Sequence, residues 1–329
     1  MTGDQRDGAG PDVRGESGGT TDGPSTGADL HEAFSLVANE TRFDILRALW
    51  NATREGDGPV QFSTLRERTG TRDSGQFNYH LDKLVPRFVR KRADGYELSY
   101  AGKQVVGAAV SGAYTDAEVT VVEPIPVGEC PDCGGRLAGT YEDGEMEVRC
   151  DDCGLCITDG LAAPPVIAAT HDKGDLPAVF SRYMETQVET MNQGFCPLCG
   201  GGVDRSLTRL ADADPQFGDA SAPEQSDVDD GAPVGDMLDI LYTCGVCGFE
   251  AHGVVGTVLA SEPVVTAFLV DQGIDVGDRL VWEFDWLYDT QAEIASEDPV
   301  RVEATLAVDD ARLRLTLDGD LDVVDHERS

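Results

Sequence analysis

The sequence predicts an α+β chain assembled from several small units. Three observations carry this expectation. Helical periodicity gives way to a short hairpin between Leu30 and Tyr114, four Cys-x-x-Cys-Gly knuckles lie between Cys130 and Gly248, and apolar residues alternate strictly through the last 50 residues. A length of 329 residues fits several compact units better than one core.

From Leu30 the apolar residues follow a helical period. Phe34, Val37 and Ala38 share one face, and Thr41 is placed to cap a second helix with apolar positions Phe43, Ile45, Leu46, Leu49 and Trp50. Val60-Gln61-Phe62 is a short strand candidate. Ser63 or Thr64 can cap a third helix through Leu65 and Arg68, which Gly70 ends. Asp73 with Gln76 three residues later fits a capping box. The helix that follows carries Phe77, Leu81 and Leu84 at i, i+4 and i+7, so these three form its buried face.

The opposite face of that helix presents Gln76, Tyr79 and Lys83, with Asn78 beside them and Arg72 and Ser74 at its N-terminal end. Such side chains suit the major groove of double-stranded DNA: Gln or Asn pairs bidentately with adenine, and the first helical amides can hold a phosphate. After Pro86, the run Phe88–Leu98 reads as two short strands around an Asp94-Gly95 turn, with Arg90, Lys91 and Arg92 near the tip. Between Arg66 and Lys103 there are nine bases and five acids, a local positive excess. Residues 29–115 are therefore expected to form a helix-turn-helix with a basic wing that binds double-stranded DNA.

The stretch LVANETRFDILRAL followed by SGQFNYHLDKL resembles ArsR-type winged-helix regulators, over about residues 30–113. The resemblance implies a winged-helix fold, DNA binding through the second helix of the helix-turn-helix, and a homodimer. His80 falls in a structural part of the shared helix and reads as a packing or flanking residue. Metal-sensing members of that family place cysteines inside this domain. Here no cysteine precedes Cys130, so arsenic-type sensing in the helix is not expected.

Nine cysteines in a chain with no visible signal peptide favour metal over disulfides. Cys130 and Cys133 are followed after 16 residues by Cys150 and Cys153; Cys196 and Cys199 are followed after 44 residues by Cys244 and Cys247. Two intervening residues let both thiolates face one metal, and Gly after the second Cys lets the backbone turn back toward the sulfurs. Two knuckles supply four thiolates and close a tetrahedral site, so two structural Zn2+ ions per chain are expected, each stapling a unit too small for its own core. Antiparallel strands with such knuckles resemble zinc ribbons, here over residues 125–163 and 194–260. The longer spacing contains residues 211–236, with eight acids and no base, read as a solvated insert whose length costs little. Cys156 reads as a small buried apolar residue, with a substitute ligand or redox thiol as alternatives. His252, five after Cys247, is a competing ligand candidate.

Three further segments complete the chain. Residues 1–28 lack large apolar side chains and read as a disordered acidic tail. Residues 175–193 carry Val179, Phe180, Tyr183, Met184, Gln187 and Met191, a connecting amphipathic helix. Residues 261–329 are expected to hold a helix and an antiparallel β meander. Its expected strands present Trp282, Phe284, Trp286 and Tyr288, then Val302, Ala304, Leu306 and Val308, then Leu313, Leu315 and Leu317.

Composition limits the partners. The chain has 61 acidic and 25 basic residues, a net charge of −36, which by itself disfavours nucleic acid. Its only lysines are Lys83, Lys91, Lys103 and Lys173. This lysine-poor acidity resembles the proteins of salt-loving archaea, with an acidic mesophilic protein as the alternative. In near-molar salt the Debye length is ~3 Å, so local charge governs contact more than net charge. No segment approaches the ~18 apolar residues of a membrane helix, and a cytoplasmic location is expected. No nucleophile–base pair or phosphate loop is evident, and closed four-thiolate sites leave no open position, so no enzyme is expected. The sequence thus predicts a dimeric DNA-binding transcription regulator. The alternative is a factor that docks on the transcription machinery through its ribbons and binds DNA weakly and without sequence preference.

Overall fold

Asn39 sets the entry to the first long helix. In the computed structural model, which describes residues 27–114, 121–131, 133–209, 238–275, 279–284 and 290–329, the chain is α+β with antiparallel sheets and divides into two units, Met1–Gln104 and Val105–Ser329. The N-terminal tail 1–26, the acidic insert 211–236, Trp286 and Tyr288 lie outside the described residues.

In the first unit, α1 (Gly27–Val37) precedes α2 (Glu40–Arg54). Asn39 has an extended backbone, and its side-chain oxygen accepts the Arg42 N–H at 3.2 Å. The expected cap, Thr41, lies inside the helix instead, because the capping residue must be non-helical itself. Helix α2 buries Ile45, Leu46, Ala48, Leu49 and Ala52. Helix α3 (Phe62–Arg68) starts at Phe62, so Ser63 and Thr64 occupy its first turn and do not cap it. The expected Val60–Phe62 strand reduces to one bridge between Val60 and Tyr96. Helix α4 (Ser74–Leu84) is capped by Asp73, whose carboxylate accepts the Gln76 N–H at 2.7 Å, and buries Phe77, Leu81 and Leu84. The Phe77 ring meets Phe62 edge to face, with centroids 5.1 Å apart.

A two-stranded hairpin follows, β1 (Val89–Lys91) against β2 (Tyr96–Leu98), with Arg90 opposite Glu97 and Lys91 opposite Tyr96. Its turn closes through Arg92 N–H to Gly95 O at 2.7 Å. Gly95 is required there: a Cβ would lie 2.5 Å from the Val60 carbonyl oxygen, the group that accepts the Tyr96 N–H. Ser99 then initiates α5 (Tyr100–Val110), donating its hydroxyl to Arg87 O at 2.6 Å and accepting the Gly102 N–H at 3.1 Å.

Among the described residues, the second unit contains three antiparallel sheets. The first runs in order β3 (Val121–Glu129), β4 (Arg136–Glu142), β5 (Glu145–Cys150) and β6 (Cys156–Ala162). After α6 (Pro165–Ala169) and α7 (Leu176–Asn192) comes the second sheet, β7 (Val203–Arg209), β8 (Leu238–Cys244) and β9 (Glu250–Val254). Helices α8 (Val255–Leu259) and α9 (Pro263–Asp271) lead to a 3-10 turn, Val281–Glu283. The third sheet is a meander, β10 (Gln291–Glu297), β11 (Val300–Val308), β12 (Ala311–Leu317) and β13 (Val323–Arg328). On its buried face Val302 pairs Leu317, Ala304 pairs Leu315 and Leu306 pairs Leu313.

Two further features differ from the sequence expectation. Trp282 is not on a strand: it sits in the 3-10 turn, fully buried, with Phe284 buried just beyond it. Its indole N–H donates to Val127 O at 2.8 Å, and Val281 N–H donates to the Ser181 hydroxyl on α7, so tertiary partners satisfy this backbone in place of a ladder. The second difference concerns the core. Buried residues from Val127 to Leu321 form one continuous cluster that includes Cys130, Cys150, Cys196 and Cys244. The cysteine groups therefore flank a shared core and do not staple isolated miniature units.

Candidate metal centres and nucleic-acid interface

Each knuckle is a tight turn that repeats one hydrogen-bond pattern. The leading cysteine donates its N–H to the carbonyl five residues on: Cys130 to Gly135 at 2.7 Å, Cys150 to Leu155 at 2.8 Å, Cys196 to Gly201 at 2.8 Å and Cys244 to Phe249 at 2.8 Å. The glycine after the second cysteine closes the loop onto the leading carbonyl, as in Gly134 N–H to Cys130 O at 2.9 Å and Gly200 N–H to Cys196 O at 2.8 Å. Gly134, Gly154, Gly200 and Gly248 all have φ between 69° and 78°, the left-handed region where a Cβ is strained.

Strand pairing brings the knuckles together. In the first group β4 and β5 pair Leu137 with Cys150, and Cys130, Cys133, Cys150 and Cys153 place their sulfurs within 4.8 Å of one another. In the second, Val203 on β7 pairs Cys244 on β8, and Cys196, Cys199, Cys244 and Cys247 meet the same limit. The closest cross-knuckle approaches are 3.7 Å for Cys130–Cys153, 3.6 Å for Cys133–Cys150, 3.7 Å for Cys196–Cys247 and 3.6 Å for Cys199–Cys244. These two groups can each hold a metal ion, with the eight cysteines expected from the spacing as the donors.

Backbone amides prepare these sulfurs for negative charge. Gly135 and Gly201 donate to Cys133 and Cys199 at 3.3 Å, and Asp152 and Val246 donate to Cys150 and Cys244 at 3.4 Å. In the metal-free chain burial pushes the Cys150 thiol up, but the Cys153 and Asp152 amides outweigh it and bring the group down to about 7. The Cys247 and Val246 amides likewise bring Cys244 to about 7. Cys153 is pushed up, first by burial. Each group thus holds one thiol that ionises readily, Cys150 in the first and Cys244 in the second.

Neither other candidate ligand joins a group. Cys156 is half-buried at the start of β6, opposite Arg149. The His252 Nδ1 lies 2.7 Å from the Asp239 carboxylate, which also accepts the Thr208 hydroxyl at 3.2 Å.

In the first unit, Arg72, Ser74, Gln76, Asn78, Tyr79, Lys83, Arg90, Lys91 and Arg92 are all exposed. The local geometry distinguishes them. Tyr79 is 59% exposed, and the Lys83 ammonium lies 5.7 Å from its ring centroid. The Asn78 amide is turned along the helix to Asp82 at 2.8 Å. Arg92 is paired: its guanidinium grips Glu97 at 2.6 and 2.7 Å. Lys91 lies over the Tyr96 ring at 5.8 Å. The sequence did not reveal the Arg92–Glu97 pair, because charge counting carries no information on cross-strand partners. His80 Nδ1 and Arg42 Nε are buried without a hydrogen-bond partner among the described atoms.

Fold and site together define an α+β protein with two four-cysteine groups on one antiparallel β unit, preceded by a helix–hairpin unit. The chain belongs to the family described as Domain of unknown function (DUF7351), whose profile matches residues 127–323 and so spans both cysteine groups. Residues 30–109 match a second profile, Domain of unknown function (DUF7347), from α1 to within α5. No curated protein and no solved structure matches the chain. Among the described residues, no helix is long and apolar enough to cross a membrane.

Proposed function

We propose that this protein is a DNA-binding regulator, in which the first unit acts as a winged helix-turn-helix and the second is held by two structural zinc ions. The observation that carries the DNA reading is α4. Asp73 caps it, Phe77, Leu81 and Leu84 bury one face, and Gln76, Tyr79 and Lys83 stand on the exposed side. That division supplies a rigid helix whose outward side chains suit base edges. The β1–β2 hairpin with exposed Arg90 and Lys91 suits the adjoining phosphates. Leu30 and Phe34 on α1, 47% and 63% exposed, support a homodimer through that helix.

Sulfur spacing supports zinc. Bonds of ~2.3 Å in a tetrahedron give edges of about 3.8 Å, close to the cross-knuckle separations and far from a disulfide's ~2.05 Å. Four thiolates fill the coordination sphere, so the ions would hold structure and have no position for a substrate.

Fluorescence anisotropy with the full chain tests the DNA reading: a pool of genomic fragments is selected for binding in near-molar salt, and the recovered sites are titrated. Recovery of discrete sites whose binding weakens with Tyr79→Ala or Gln76→Ala is the expected result. Equal affinity of wild type and both variants for every fragment would sink it.

A further inference from the structure

The two cysteine groups share one backbone pattern, which makes each a control for the other. Aligned on that pattern, Glu129, Asp132 and Asp152 of the first group correspond to Phe195, Leu198 and Val246 of the second. Glu129 and Asp152 are exposed in the first group. In the second, Phe195 is 57% exposed, Leu198 74% and Val246 63%. Closing the thiolate cluster does not require apolar residues at these positions, since the first group closes with acids. Exposure of three large apolar side chains on one site, in a chain of net charge −36, needs another cause.

Phe195 and Val246 approach neighbouring backbone of the second group, and Leu198 lies on the turn between Cys196 and Cys199. Val246 lies against Gly201, where an added Cβ would come within 2.8 Å of its methyl, and Gly201 donates its N–H to the Cys199 sulfur. Phe195 is bridged to Gly202 and also lines a groove of about 650 Å³ along α7, beside Glu185, Thr186 and Glu189. Phe195 thus joins this apolar group to a helix face that carries carboxylates, with Arg182 at one end.

We propose that this surface docks a protein segment with apolar anchors flanked by arginine or lysine. The apolar tips would bury the anchors, and Glu185 and Glu189 would face the bases. Local charge selects this occupant over a second copy seated on the same face, which would set its own Glu185 and Glu189 against these carboxylates. Aromatic and aliphatic anchors in an interface centre supply most of the binding energy, and rim charges set the choice of partner. The proposal rests on the second group being closed by metal, but it does not require DNA binding.

The test uses the full zinc-loaded chain and a random 15-residue peptide library, selected at high salt. The triple variant Phe195→Glu/Leu198→Asp/Val246→Asp, which copies the first group's chemistry, is the counter-selection target. The expected result is a set of peptides with spaced apolar residues and neighbouring Arg or Lys, binding the triple variant about tenfold or more weakly. Peptides that lack bases, equal binding to the variant, or no peptide specific to the wild-type chain would each overturn the proposal. So would a concentration-dependent dimer of the wild-type chain that the triple variant abolishes. Zinc content is measured on both proteins. Two ions in each means the comparison reports the surface, whereas fewer than two in the wild type means the closed-site reading itself has failed. If only the triple variant loses metal, Leu198→Asp alone, at the most exposed tip, takes its place and must weaken binding in the same direction.

Discussion

The Trp282 indole N–H donates to the Val127 carbonyl at 2.8 Å, joining the 3-10 turn to the edge of the first sheet across 155 positions of chain. Trp282 is completely buried, so it supplies apolar packing as well as this bond. Replacing it with Phe keeps most of the packing and leaves the Val127 carbonyl unpaired. Trp282→Phe is expected to destabilise the second unit by about 1–3 kcal/mol and Trp282→Ala by about 3–5 kcal/mol. Chemical denaturation followed by circular dichroism measures both, and an undetectable loss for Trp282→Phe would show that the hydrogen bond contributes nothing.

Metal content should follow the two groups independently. The intact chain is expected to bind about two zinc ions and Cys133→Ser or Cys199→Ser about one each, by mass spectrometry under native conditions. Because ligand thiols must lose protons, zinc uptake by the metal-free chain should weaken as pH falls through about 7, where Cys150 and Cys244 become protonated. Uptake that does not change between pH 8 and 6 would contradict thiolate ligation.

The hairpin arginines should not be equivalent. Arg92 is already paired with Glu97, whereas no ion pair is found for Arg90 among the described residues. Arg90→Ala and Lys91→Ala are expected to weaken binding to all DNA sequences and to lower the salt slope by about one each, with a smaller change for Arg92→Ala. Titrations at several salt concentrations decide this, and a larger effect for Arg92 would overturn the ranking.

Glu262 offers a test of internal repulsion. Its carboxyl is held above the usual carboxylate range, first by partial burial and then by the neighbouring Asp322 carboxylate. An acid with a raised folded-state pKa is destabilised in its charged form. The cost is therefore present at neutral pH and disappears as pH falls through the raised value toward the unfolded one. Glu262→Gln should raise the thermal midpoint at pH 7 and flatten its rise on mild acidification. A lower midpoint at pH 7 would show that the carboxylate has a stabilising role at the start of α9.

Backbone approach sets the last expectation. Gly95→Ala would drive a methyl group toward the Val60 carbonyl and disturb the paired Val60–Tyr96 bridge. A loss of about 1–3 kcal/mol in the first unit is expected, with weaker DNA binding because the hairpin shifts. Unchanged stability would mean that the loop at Pro59 yields without cost.

Much of this architecture was legible because it is local. The buried face of α4 follows from the spacing of Phe77, Leu81 and Leu84, and the cysteine groups follow from knuckle spacing. What the sequence hid depends on distant partners. Trp282 and Phe284 alternate like a strand, yet Val281 bonds to Ser181 and Trp282 to Val127. Outer strands β10 and β13 were missed because neither contains a fully buried residue, and the half-buried positions of β10 carry only Ala292, Ile294 and Ser296. Asn39 took the cap expected of Thr41 because both are competent capping residues two positions apart, and the choice is made by backbone angle. The exposure of Phe195, Leu198 and Val246 was equally invisible, since an apolar residue in a sequence reads as core until its neighbours are known.

The ladder between β7 and β8 runs without a break from Val203 opposite Cys244 to Arg209 opposite Leu238. Arg209 and Leu238, the described residues on either side of positions 210–237, therefore face each other at the end of the ladder away from Cys244. The register of seven paired residues, and not the number of residues between Arg209 and Leu238, sets the distance between the two knuckles. A reporter inserted between Arg209 and Leu238 would therefore join the fold at the end of the ladder remote from Cys244 and leave the register at the cysteines unchanged.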